Sequence, residues 1–147
     1  MTNSLTQLFM RDLNKLKVEI NSYSNEANLW TVDKAILNSA GNLCLHLVGN
    51  LKTYIGANLG NSGYVRHRDL EFSLKNVPRA EMIKQIEETI EVVENTLKKL
   101  TPKDLQKESI PQGFDKPMTT EFFLIGLSMH LAYHLGQINY HRRLLDQ

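Results

Sequence analysis

"FFLIGLSMHLAYHLGQINYHRRLL", residues 122–145, is the stretch on which the reading of the fold turns. Its most apolar part, Phe122 to Gly136, is about 15 residues long, short of the roughly 20 that a membrane span needs, and it carries His130 and His134. It reads instead as a buried helix, capped by Thr119 or Thr120 and running to about Leu145. Three of the chain's five histidines fall in this segment, His130, His134 and His141, at spacings of four and seven.

Working outward, three more segments have helical spacing. Leu5, Leu8, Phe9, Leu13, Leu16 and Ile20 recur at steps of three and four, which predicts an amphipathic helix over 4–22. A second helix begins near Asn38 or Ser39, either of which can cap it, and runs to Gly60; residues 31–37 can add an extra turn before it. Pro78 fits the first turn of a third helix, which Met82, Ile83, Ile86, Ile90, Val93, Leu97 and Leu100 carry to about residue 100. Residues 60–77 lack periodicity and read as a long ordered loop. "TPKDLQKESIPQGFDKP", residues 101–117, is a second long connection. No strand pattern stands out. The expected fold is all-α, a four-helix bundle with long connecting loops, in a single domain over 1–147.

Composition narrows the function classes. The formal net charge is +1, so no bulk attraction to nucleic acid or to an anionic membrane is implied. The nearest basic run, Arg66, His67 and Arg68, is interrupted by Asp69 and Glu71. Cys44 is the only cysteine, so the fold has no internal disulfide, which fits a reducing, cytoplasmic setting. The first twenty residues mix charge with apolar positions and do not read as a signal peptide.

On a helix, residues i and i+4 are neighbours, with Cβ atoms roughly 5–6 Å apart. His130 and His134 can therefore aim both imidazoles at one point, and imidazole is the commonest metal ligand. A third ligand must come from elsewhere, and His46, midway along the second helix, is the best candidate. His141 lies about 16 Å from His130 along the axis, too far to share that point. His67 is in the long loop. The second helix carries a polar stripe of Ser39, Asn42, His46, Asn50 and Thr53 opposite an apolar stripe of Cys44, Val48, Leu51 and Ile55. The polar stripe either faces water or lines a polar cavity between helices, and periodicity does not choose between the two. The loop over 60–77 likewise reads either as a surface loop pinned by its own ion pairs or as a wall folded back over one end of the bundle. Asp69 and Glu71 are its carboxylates, and they can equally serve as partners of Arg66 and Arg68.

Three pieces of the chain, "HLVGNL" (46–51), "RHRDLEF" (66–72) and "HLAYHLGQI" (130–138), resemble the DinB/YfiT-like superfamily of bacterial four-helix proteins. The likeness is to the uncharacterised branch with an Arg-Asp-x-Glu-Phe loop. It implies a divalent metal, held by His46, His130 and His134. Three histidines and an open position make the catalytic pattern, whereas structural zinc is closed by four ligands. Zinc or nickel suits an all-imidazole site. Each ligand's second ring nitrogen needs a partner, and Asn50, Glu71 and Gln137 are candidates for that role or for contact with substrate, as is Arg68 in the loop. The expected activity is transfer of a thiol or hydroxide to a small electrophilic substrate, with a low-molecular-weight thiol as the co-substrate that the resemblance favours. No general base is assigned. A non-catalytic metal-binding or stress-related interaction protein is the alternative. Haem ligation by His46 and one histidine of the last helix is a weaker third. Apolar surface beyond one stripe on the helices at 5–20 and 122–145 predicts a homodimer.

Overall fold

The computed structural model describes residues 1–147. Helix α1 spans Thr2–Asn21 and buries Leu5, Phe9, Leu13, Leu16 and Ile20; of the positions that the step of three and four picks out, Leu8 alone is exposed. A 3-10 turn, Glu26–Trp30, follows, capped by the Asn25 side chain. Helix α2, Ala40–Leu51, starts at Ser39, whose hydroxyl accepts from the Asn42 backbone N–H at 3.2 Å. Its path runs on through a wider π turn, Lys52–Ala57, and a last α turn, α3, Asn58–Gly60, and stops at Asn61 in the left-handed region (φ 49°). The second helix therefore reaches Gly60 as expected, but its winding changes at Lys52. Periodicity cannot signal that, because one wide turn shifts the phase without changing the residue types.

The segment 60–77 is not loop throughout. It contains a short helix, α4, Arg68–Ser73. Pro78 then caps α5, Arg79–Leu97, which ends one turn before Leu100. The second connection holds α6, Pro102–Gln106, opened by a reciprocal Thr101–Asp104 capping box. It also holds a two-residue antiparallel ribbon, β1 Glu108–Ser109 with β2 Met118–Thr119. Two residues are too few for a strand's alternation to show in the sequence. Helix α7, Thr120–Leu145, is capped by the Thr119 hydroxyl.

The four long elements α1, α2, α5 and α7 make the bundle. Helix α1 packs on α5 and α7, and α2 lies between α5, α7 and the short α4. All twelve residues of α2 are buried, so both of its stripes face the interior. The polar stripe does not face water: Ser39, Asn42, His46, Asn50 and Thr53 are each less than a tenth exposed. What covers it is the returning chain. The Asn42 side-chain amide donates to the carbonyls of Glu71 at 2.9 Å and Leu74 at 2.8 Å, pinning the C-terminal end of α4 along α2. Buried polar groups require partners, and the folded-back segment supplies them for Asn42 and His46, while Asn50 Oδ1 and Thr53 Oγ1 have none.

Candidate metal centre

His46 projects from the middle of α2, and His130 and His134 lie one turn apart on α7. The His130 Nε2 lies 3.2 Å from His46 Nε2 and 3.1 Å from His134 Nε2. The three rings meet nearly edge to face, with interplanar angles of 78° to 89°.

The second ring nitrogens explain the orientations of His46 and His134, whereas His130 Nδ1 is buried without a partner. His46 Nδ1 donates to Glu71 Oε1 at 3.0 Å, and His134 Nδ1 donates to Gln137 Oε1 at 2.7 Å. With those protons on Nδ1, the Nε2 lone pairs of both rings point at His130 Nε2. Without an ion, the His130 N–H has two lone pairs to satisfy and can align with only one. A divalent ion removes the conflict, since it accepts all three. Tetrahedral zinc with Zn–N bonds of 2.0–2.1 Å separates its nitrogens by about 3.3 Å, close to the two spacings from His130, and all three ligand atoms lie within 4.8 Å of one another. His46, His130 and His134 are thus a donor set that fits such an ion. A flat macrocycle between two of these rings would run into the third, so the arrangement does not suit haem.

Burial pushes His130 down to about 4, helped by the neighbouring His134 and His46. Burial also lowers His134, against a hydrogen bond to Gln137 that works the other way. Both rings are therefore neutral near pH 7, the form that ligates. Burial would raise the Glu71 carboxyl, but its bonds with His46 and Arg66 outweigh that and hold it below the ordinary range. Arg66 grips this carboxylate with two N–H groups, Nε to Oε2 at 2.8 Å and Nη2 to Oε1 at 2.9 Å. Charge-assisted forks of this kind fix geometry as well as add energy. Glu71 thus serves both roles that the sequence left open, partner of an arginine and acceptor for a ligand histidine. Asp69 and Arg68 form no ion pair.

Some of this was not in the sequence reading. Arg66 stands there in the basic run, in the loop motif and as a partner for the loop's carboxylates, and Gly49 only inside "HLVGNL", with no role of its own. A Cβ on Gly49 would overlap Glu71 Oε2, so the carboxylate reaches His46 only because α2 carries no side chain there. A glycine one turn after a candidate ligand, inside a helix where it costs roughly 1 kcal/mol, was the available signal. Phe72 adds a ring 5.0 Å from that of His46.

Beside the cluster lies a cleft of about 370 Å³. Its polar wall is His46, His130, Asn50, Arg66 and Arg68; its apolar wall includes Tyr54, Phe114, Phe122 and Phe123. Asn50 does not reach a ligand ring: its Oδ1 is buried without a partner. A larger cleft, about 560 Å³, opens on the far side of His134, between residues 35–38 and α7. It reaches only one of the three rings, so the smaller cleft is the one that addresses the cluster. His141 stands apart. Its Nε2 donates to the Thr31 carbonyl at 2.7 Å and its Nδ1 accepts from the Tyr23 hydroxyl at 2.7 Å, tying the segment after α1 to α7. His67 is exposed at the start of α4. Cys44 is buried, and burial pushes its thiol up to about 12, so it is no nucleophile.

A helical bundle with three imidazoles converging from two of its helices defines the class: an all-α protein with a candidate divalent-metal centre. The chain belongs to the family described as "Protein of unknown function (DUF1572)", whose model matches residues 3–147. No curated protein matches it. No helix is long and apolar enough to cross a membrane.

Proposed function

We propose that this chain is a metal-dependent enzyme of the DinB/YfiT-like kind, transferring a thiol or hydroxide to a small electrophilic substrate. The observation that carries the reading is the convergence of three imidazoles from α2 and α7 beside an open cleft. Three ligands with room for a fourth is the arrangement of catalytic rather than structural zinc. Zinc or nickel, when bound, supplies the charge that brings a thiol or water toward ionisation near pH 7. The chain's own residues do the rest. Glu71 holds the His46 ring and Gln137 the His134 ring, which keeps each Nε2 aimed inward. Arg66 locks Glu71 in place. Tyr54, Phe114, Phe122 and Phe123 give one side of the cleft an aromatic wall. A low-molecular-weight thiol is the co-substrate this reading favours.

The assay is thiol addition to an aromatic halide such as 1-chloro-2,4-dinitrobenzene, followed by absorbance, with glutathione and cysteine as thiols and water alone as the hydrolytic control. A rate that depends on added zinc or nickel and vanishes in His130→Ala is the expected result. A second reading, a non-catalytic metal-binding or stress-related interaction protein, is favoured by one observation: α7 leaves Phe122, Met129, Tyr133, Tyr140 and Leu144 exposed. Metal binding with no rate on any such electrophile would select it.

A further inference from the structure

We propose that the cleft beside the three histidines takes a small organic anion with an apolar body, and that Arg68 holds its charged end. The proposal deepens the reading of this site as a metal-dependent enzyme and concerns the substrate it admits. Two arginines line the cleft, but they are not equivalent. The Arg66 guanidinium is committed to both oxygens of Glu71. Arg68, two residues on, has no carboxylate within ion-pair reach and makes no hydrogen bond to the protein. It is held all the same, because its guanidinium lies 5.2 Å over the ring of Phe72, the ring that also packs on His46. Stacking of this kind leaves the in-plane N–H groups free to bind a carboxylate or a similar anion through two parallel bonds. No aspartate or glutamate lines the cleft. The charge balance there is one uncompensated cation, to which a divalent ion adds two more charges.

Two further observations show a site built for a ligand. Asn50 is 7% exposed, lines the cleft, and its Oδ1 is left without a partner in the protein. Gly126, on α7 one turn before His130, has open space where a Cβ would stand and forms part of the cleft wall. On the apolar part of the cleft wall, Tyr54, Phe114 and Phe123 meet edge to face with centroids 5.0 to 6.4 Å apart and offer aromatic surface to an apolar body. A volume of about 370 Å³ is at the lower end of small-molecule sites, which run from roughly 300 to 1,000 Å³.

The test is calorimetric titration of zinc-loaded protein, its metal content fixed beforehand by elemental analysis, with phenylacetate, phenylacetamide and acetate. Phenylacetate should bind at least tenfold more tightly than acetate, which lacks the body. Arg68→Ala should lose about tenfold for phenylacetate, the scale of one charge-assisted contact, and nothing for phenylacetamide, with metal content unchanged. Arg68→Lys should recover part of the loss. Gly126→Leu, which fills the cleft, should abolish phenylacetate binding while metal is retained. Equal affinity of wild type and Arg68→Ala for phenylacetate overturns the proposal, as does acetate binding as tightly as phenylacetate. If the protein takes up no metal, the enzyme reading fails first, and the same Arg68→Ala comparison on that protein still decides the anion site.

Discussion

Glu71 accepts from His46 and from two N–H groups of Arg66, and it does so across a gap that exists because residue 49 is glycine. Glu71→Gln keeps the shape but loses the charge that fixes the His46 tautomer. Metal affinity should fall by about 10- to 100-fold, the usual cost of removing such a partner, as read by competition with a chelator. Gly49→Ala should do the same by a different route. Alanine for glycine in a helix ordinarily stabilises by roughly 1 kcal/mol, so a variant that gains metal affinity or keeps it would show that the carboxylate has room to spare. The three histidines were legible from sequence because imidazoles one turn apart are a local pattern, His141 lies too far along the same helix to join them, and His46 was the only histidine in another helix. The Gly49–Glu71 contact was not, because it joins residues 22 apart and exists only once the chain folds back.

At the scale of the element, α2 and α7 were readable and α4 was not. The 12 residues of α2 and the 26 of α7 repeat a helical step several times over; the 6 of Arg68–Ser73 repeat it hardly at all. Nor did the polar stripe of α2 announce its surroundings, since a stripe facing water and a stripe facing a folded-back loop have the same spacing. What decided it is Asn42, whose amide takes the last carbonyls of α4. Helix α7 carries a pH consequence. His130, pushed down to about 4, and His134, also lowered, resist protonation in the folded chain, chiefly through burial. The unfolded chain takes up those protons near the ordinary histidine value of about 6.5, so stability from the neutral rings is present above that value and is lost as pH falls toward 4. For metal-free protein, the urea midpoint should therefore drop between pH 7.5 and pH 5, and His130→Leu should flatten that drop. An identical pH dependence in both proteins would mean the rings are hydrated in the absence of metal.

Over the whole molecule, the bundle leaves one apolar strip uncovered. Phe122, Ile125, Met129, Tyr133, Tyr140 and Leu144 recur at helical steps on α7 and are exposed. We propose that a second copy covers it. Phe122 and Leu144 stand equally far from Tyr133, so two antiparallel α7 helices related by a twofold axis match end to end, as an isologous interface requires. Light scattering at micromolar protein should give twice the chain mass of 16.9 kDa, and Tyr133→Glu should return it to one. A monomeric wild type would leave the strip for some other partner. The strip lies on the helix that carries two of the three clustered histidines, so the proposed interface and the candidate site share one element.

The central claim is that His46, His130 and His134 hold one divalent ion. Elemental analysis of purified protein tests it most directly, in wild type and in the single alanine variants of those three residues and of His141, counted per folded chain. The account predicts close to one zinc or nickel per chain in wild type, a steep loss in each of His46→Ala, His130→Ala and His134→Ala, and full occupancy in His141→Ala, whose ring is spent on Tyr23 and Thr31. Equal metal content in all five proteins, or none in wild type after metal is supplied, would contradict it.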